Sequence, residues 1–388
     1  MHPYNYCVYP FNYAHIGHKG QPALCCNNGE HRLPYNIKEH SLATIWNSDE
    51  INAVREQFTS GGCPTGCGHC FEPELEGVRS FRQKALRGTF GTNTPFNDTV
   101  IRGLDLRIGN TCNLRCIMCN SYSSVQLYKL VPEMSEHYGW QEGTAKRILE
   151  DHDPKTMDWC NDEQAWQNIF DGIDENLQHV YMAGGEPFYV NNFEDILHRM
   201  MVKAPNARYV INTNGTRLLK DKDIKRFKDY NLVMRVSIDG IGAVDEYVRN
   251  GTNWQHKLKV MDQYHKYFAI ECWDLTLNSL SVRQAPELIT YLKERFPEVK
   301  INVRPAYGNS PFHFYRLPES MRTEVLQWFE DNDELAWGSD SIIAQLKKPH
   351  VDYRWKLKQV VDFWDERGPV KLNDFDPELN KYIHGNIS

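Results

Sequence analysis

Three cysteines stand within eight residues, Cys112, Cys116 and Cys119, in the run LDLRIGNTCNLRCIMCN that covers residues 104–120. Their C-x3-C-x2-C spacing offers three thiolates from one short loop, and soft sulfur donors select iron–sulfur clusters, zinc or Cu(I). A four-iron cluster held by only three thiolates keeps one iron without a protein ligand. An iron left open in that way is where chemistry can happen. A zinc knuckle or an isolated structural cluster is the plainer reading of the same three residues.

Such a loop needs a rigid carrier. Leu104, Leu106 and Ile108 alternate as in a strand that empties into it. From there strand-like runs alternate with helical stretches, which predicts parallel βα units with strands over 104–109, 179–183, 208–212, 232–238, 269–278 and 299–304. Six such units predict an α/β fold, a partial (β/α)6 TIM-like barrel, and barrels place their chemistry at the C-terminal ends of the strands. The second strand ends in Gly184, Gly185, Glu186 and Pro187, where two glycines let backbone approach a ligand and a carboxylate suits an ammonium group. The third ends in the polar turn Asn212-Thr213-Asn214-Gly215. The fourth, RVSIDG, projects Ser237 and Asp239 to one side, where a carboxylate suits ribose hydroxyls. Each also has a plain reading, as a tight turn or a helix cap. Asn278 and Arg304 stand at the fifth and sixth ends, facing cofactor or substrate, and 305–311 forms a loop by the barrel mouth. The span 122–178 predicts two or three helices, with Tyr138, Trp140, Trp159 and Trp166 capping or lining the opening.

Nine of the eleven cysteines fall between Cys7 and Cys119; Cys160 and Cys272 read as ordinary core residues. Residues 1–95 read as a small cysteine-rich module. It has a hairpin over 6–24 followed by Cys25-Cys26, a helical pattern over 41–58, and Cys63, Cys67 and Cys70 in GGCPTGCGHCFEPE. A module with so few large apolar residues needs a staple to fold. Cys7, the Cys25/Cys26 pair and Cys67/Cys70 can supply four thiolates to a second metal centre, with tetrahedral zinc as the alternative occupant. The polar stretch 91–103 suits a linker into a barrel domain of residues 96–310. Residues 311–388 read as a helical extension packing on the barrel, in which Trp328, Trp337, Trp355 and Trp364 are packing residues.

A net charge of −7 advertises neither a nucleic-acid nor a membrane surface. No apolar run approaches the ~20 residues that span a bilayer. The start, MHPYNYCVYP, lacks the pattern of a secretory signal, so a cytoplasmic protein is expected.

The three cysteines after a strand, followed in order by GGEP, the Asn-rich turn and the Ser237–Asp239 strand end, resemble the radical S-adenosylmethionine (SAM) enzymes. The resemblance implies that Cys112, Cys116 and Cys119 hold a [4Fe–4S] cluster whose open iron is chelated by SAM. Reduction would then cleave SAM to a 5′-deoxyadenosyl radical. It also implies that Gly184, Gly185, Glu186 and Pro187 hold the methionine amine, and that Asn212, Ser237, Asp239 and Arg249 contact SAM. Residues 1–95 are similar to the twitch or SPASM-like auxiliary-cluster modules of some of these enzymes. The matching features are C-x2-P-F, Gly20 five residues before Cys25, S-L-x-x-I-W-N-S, and G-C-x-x-C-F-E. That likeness implies an auxiliary [4Fe–4S] cluster on Cys7, Cys25, Cys67 and Cys70, with Cys26 or Cys63 as alternative ligands. The implied electron donor is a flavodoxin or ferredoxin, and the implied substrate a peptide, a protein or a small molecule. Oxidation of a peptide or protein side chain is the expectation, and dehydrogenation or epimerisation of a small molecule its nearest competitor. A non-catalytic, zinc-stabilised binding protein is the reading from another class.

Overall fold

The computed structural model describes residues 6–28, 32–75, 80–87, 98–306 and 311–385. Residues 91–97 of the expected linker and 307–310 of the expected loop lie outside the described residues. The chain divides into two compact units, one of Met1–Thr111, Asp153–Ile211 and Lys220–Leu232, the other of Cys112–His152, Asn212–Leu219 and Val233–Ser388. All six predicted strands are present, their ends shifted by a residue or two, and helices alternate with them in the βα order of a partial barrel.

In the first unit β1 (Tyr13–Ile16), β2 (Pro22–Ala23), β3 (Gly103–Ile108), β4 (His179–Gly184) and β5 (Arg208–Thr213) lie in the order β2-β1-β3-β4-β5. β1 and β2 form the expected antiparallel hairpin. The N-terminal segment does not stand apart, however, because β1 also pairs in parallel with β3, Tyr13 opposite Gly103 through Ile16 opposite Leu106. β3 is buried along nearly its whole length, as a parallel strand covered on both faces must be. Its one carboxylate, Asp105, is 5 % exposed and held by His15 at 3.3 Å and Arg107 at 2.9 Å. The pattern over 41–58 resolves into two helices, Leu42–Trp46 and Asp49–Thr59, because the Ser48 hydroxyl accepts from Ile51 N–H and starts the second. Trp159 and Trp166 do not line an opening. Their rings pack 5.2 Å apart in the core, and their indole N–H groups bond the carbonyls of Arg107 and Cys160, so neither needs water.

In the second unit β6 (Asn231–Ser237), β7 (Ala269–Leu277) and β8 (Lys300–Pro305) run parallel in sequence order. The span 122–178 supplies the helices Val125–Tyr138 and Thr144–Asp151 here, and Glu163–Phe170 in the first unit. The C-terminal stretch is helical, as expected, and buries Trp364. Trp337 and Trp355 are not packing residues. Each is 56 % exposed, with the ammonium of Lys300 or Lys356 over its ring. No helix among the described residues is long and apolar enough to cross a membrane.

Candidate functional site

The second unit carries the three-cysteine loop, and a second segment of chain pins it. Arg115 N–H donates to Asn250 O and Ile117 N–H to Val248 O, both at 2.9 Å, so the intervening Cys116 lies opposite Arg249. Leu114 and Ile117 are buried on either side, and the Arg115 guanidinium reaches Asn250 Oδ1 at 2.5 Å and Arg367 O at 2.6 Å. Cys112 Sγ receives Leu114 N–H at 3.4 Å and the Asn214 amide at 3.9 Å. Such N–H donors stabilise a thiolate and tune whatever metal it holds. Cys116 is buried and Cys119 stands at the exposed edge of the loop. Burial pushes the Cys116 thiol up to about 12, so at neutral pH its proton leaves when a cation takes its place.

Arg249 is fixed by Asp239, Nη1 to Oδ2 at 2.7 Å, and the other Asp239 oxygen accepts Thr276 N–H at 2.6 Å. Burial raises the Asp239 carboxyl, partly offset by Arg249. For Arg249 burial opposes the charge, but Cys116, Asp239 and Asp245 around it outweigh that and hold the guanidinium protonated. Asp239 is 1 % exposed with both oxygens engaged, so its geometry is that of a support for Arg249. Arg249 Nε is buried with no hydrogen-bond partner among the described residues, so it is open to an acceptor on a ligand. Ser237 and Asn212 are half-buried at their strand ends. Asn278 is fully buried and caps its own turn by accepting Leu280 N–H, while Arg304 pairs with Asp274.

The GGEP turn belongs to the first unit. Gly185 N–H bonds Gly109 O at 3.0 Å and Glu186 N–H bonds Thr111 O at 2.7 Å. Thr111 immediately precedes the first cysteine. A Cβ on Gly185 would stand 2.2 Å from Thr111 O, and Gly184 has φ +143°, so both positions require glycine. Glu186 is fully buried, its Oε1 accepting Phe188 N–H at 3.4 Å.

The same unit gathers the other cysteines. Cys7, Cys25, Cys67 and Cys70 line one pocket, walled by Tyr9, Phe58 and Phe81 and flanked by Arg82. Cys26 and Cys63 do not line it. The Cys26 thiol instead meets Asn27 Oδ1 at 4.0 Å, with the Arg107 guanidinium nearby. Arg82, 2 % exposed, ties the pocket together by bonding Tyr6 O at 2.8 Å and the Glu74 carboxylate. Burial pushes the Cys25 and Cys67 thiols up to about 12 and Cys7 up as well, so these sulfurs also ionise only against a cation.

A family model of the Radical SAM superfamily matches residues 106–278, and one of an iron–sulfur cluster-binding domain, SPASM, matches residues 7–71. The chain carries a radical SAM domain and a SPASM domain. Its SPASM domain precedes its radical SAM domain, and the cofactors of the two are a [4Fe–4S] cluster with SAM and an auxiliary iron–sulfur cluster. Among solved structures the chain is similar to native anSMEcpe with bound AdoMet, at 16 % identity over 61 % of this chain and 62 % of that one, TM-score 0.39. It is also similar to Streptococcus suis SuiB, at 12 % identity over 86 % and 70 %, TM-score 0.37. A third is TYW1 with a lysine-pyruvate adduct bound, at 15 % identity over 74 % and 90 %, TM-score 0.37. The match thus spans about three fifths of the length of the first of these proteins. No curated protein matches the sequence. The residues present suit the cofactors: four sulfurs around one pocket, a backbone cradle at Gly184 and Gly185, and an unpartnered guanidinium nitrogen beside the cysteine loop. The sequence marks Asn214 only as part of the polar NTNG turn and gives no signal for Asn250 and Arg115, which also shape the loop.

Proposed function

We propose that this protein is a radical SAM enzyme that oxidises or otherwise modifies a C–H bond of a peptide or protein side chain. The observation that carries the reading is the backbone-pinned three-cysteine loop, with a buried guanidinium held opposite its central cysteine. With the cluster and SAM bound, the chemistry supplied is one-electron cleavage of SAM and hydrogen abstraction by the resulting 5′-deoxyadenosyl radical.

In this reading Cys112, Cys116 and Cys119 hold the SAM-binding cluster, and Leu114 N–H and the Asn214 amide stabilise the Cys112 sulfur. Gly184, Gly185 and Pro187 shape the turn that presents carbonyls and the Glu186 carboxylate to the methionine ammonium. Asn212 and Ser237 offer hydrogen bonds to the nucleoside, and Arg249 offers its free N–H groups to an anionic part of SAM. Asp239 positions Arg249. Cys7, Cys25, Cys67 and Cys70 would hold the auxiliary cluster in an apolar pocket, suited to accepting an electron from the substrate radical. A flavodoxin or ferredoxin supplies the initiating electron. The cytoplasm suits both cysteine sets, which must stay reduced. The SPASM domain supports the peptide reading through the likeness drawn from its cysteine pattern.

The test is anaerobic reconstitution followed by SAM and dithionite, with 5′-deoxyadenosine measured by mass spectrometry. The wild-type protein should hold about eight irons, two four-iron clusters, and form 5′-deoxyadenosine. Cys112→Ala, Cys116→Ala, Cys119→Ala should fall to background. A fully loaded wild-type protein that forms none would overturn the enzymatic reading.

A further inference from the structure

A cavity of about 300 Å³ opens in the second unit with Cys119 in its wall. Opposite the cysteine loop stand the helices Val125–Tyr138 and Arg354–Asp365, which contribute Tyr138, Lys356 and Trp364. Trp140 follows the left-handed Gly139 that ends the first helix, and its ring stacks on Tyr138 at 6.4 Å and 24°. Tyr353 completes the aromatic wall. Lys356 is the one charged side chain among the described lining residues, and its ammonium lies at the cavity's outer side, 4.6 Å from the exposed Trp355 ring.

These features specify a guest. The cavity has the volume of a small-ligand site rather than the broad face, about 800 Å² per partner, that a docked redox protein covers. Rigid aromatic walls favour an apolar side chain, above all another ring, at small entropic cost. A lone ammonium among them favours a carboxylate at one end of that guest. Cys119 places the guest beside a ligand of the cluster at which the radical arises. We infer that this cavity seats the substrate, taking an aromatic or long aliphatic peptide side chain against Tyr138, Trp140 and Trp364 and a neighbouring carboxylate on Lys356. The assignment rests on the radical SAM reading above.

The test uses the reconstituted full-length protein with SAM, under anaerobic conditions. The probes are acetyl-Phe-Glu-amide, acetyl-Phe-Gln-amide and acetyl-Ser-Glu-amide, with dissociation constants from NMR titration. The Phe-Glu probe should bind about tenfold more tightly than either of the others. Lys356→Met should abolish the preference for Glu over Gln while Lys356→Arg keeps it, and Trp140→Ala should weaken both Phe probes about tenfold. Failure of the Phe-Glu probe to bind, or a Glu preference that survives Lys356→Met, overturns the assignment. So does a Lys356→Met variant that binds the probes normally but is reduced more slowly by flavodoxin, since the cavity would then serve the electron donor. Wild-type 5′-deoxyadenosine formation with dithionite needs no peptide. If it occurs and the probes do not bind, only the cavity assignment fails; if it does not occur, the functional reading itself fails.

Discussion

Cys112, Cys116 and Cys119 come from eight consecutive residues, whereas Cys7, Cys25, Cys67 and Cys70 are collected from three separate stretches of chain. The first set is held by backbone bonds to residues 248–250 and by polar side chains, and Cys119 stays open at its edge. The second set closes around an apolar pocket walled by Tyr9, Phe58 and Phe81. The difference follows from what each centre must do. An iron that binds a cofactor needs an approach, so its loop is stiffened from behind. In the proposed function the auxiliary cluster accepts an electron and would benefit from a dry surround, and the segment around it would use the metal as part of its core.

The largest effect that separates the two sites is loss of metal. Cys67→Ala, Cys70→Ala should lose about half the bound iron and make residues 6–75 sensitive to limited proteolysis, while dithionite-driven 5′-deoxyadenosine formation persists. The triple variant of the loop should also lose about half the iron, but residues 6–75 should stay protease-resistant. Equal protease sensitivity in the two variants would mean that the auxiliary metal is not a structural staple.

The same contrast explains what could be read without coordinates. Thiols three and four residues apart after an alternating apolar run announce themselves, as do two glycines and a glutamate at a strand end. Six strands fell within a residue or two because their apolar residues recur at strand spacing between helical stretches. By contrast, four residues, YAHI, give no hint that β1 will pair with β3 some ninety positions later. The bonds from residues 115 and 117 to 250 and 248 are backbone to backbone and leave no trace in side-chain pattern. Cys25 and Cys26 are adjacent on a turn, so their side chains diverge; one lines the pocket and the other meets Arg107. Trp337 misled because it sits on an isolated β-bridge opposite Asn302 between short helices, and Trp355 because it stands at the first turn of its helix, where the pattern does not reveal which face meets the core.

A second difference lies in how the supports are charged. Behind the cysteine loop, Lys257 and Asp245 form an ion pair at 2.8 Å with neither side chain exposed, and Asp245 Oδ1 also accepts Asp239 N–H at 3.1 Å. Burial lowers the Lys257 pKa and Asp245 opposes that shift. Lys257→Met should leave Asp245 buried and unpaired, at a cost of about 3–5 kcal/mol in chemical denaturation. Adding Asp245→Asn should recover much of the loss. A cost below about 1 kcal/mol for Lys257→Met would show that the loop does not lean on this pair.

On the auxiliary side the buried ion pair is Arg82 with Glu74, and a separate histidine in the same unit makes that unit sensitive to acid. His18 sits on the turn between β1 and β2, just ahead of Cys25 and Cys26. Burial, then the nearby charges of Arg107, His15 and Arg32, push its imidazole down to about 3. The unfolded chain protonates this residue near pH 6.5, while the folded chain does not until far lower. Between those limits the unfolded state binds the extra proton, so the contribution of His18 is complete above pH 6.5 and is lost as pH falls, by up to ~1.4 kcal/mol per pH unit. His18→Gln has no proton to take up and should flatten the fall in urea midpoint between pH 6.5 and 4.5. Acid should therefore expose residues 6–75 to protease before it frees the cysteine loop. Parallel pH profiles for His18→Gln and wild type would assign the acid sensitivity to another group, and the auxiliary side would then differ from the loop only in its metal.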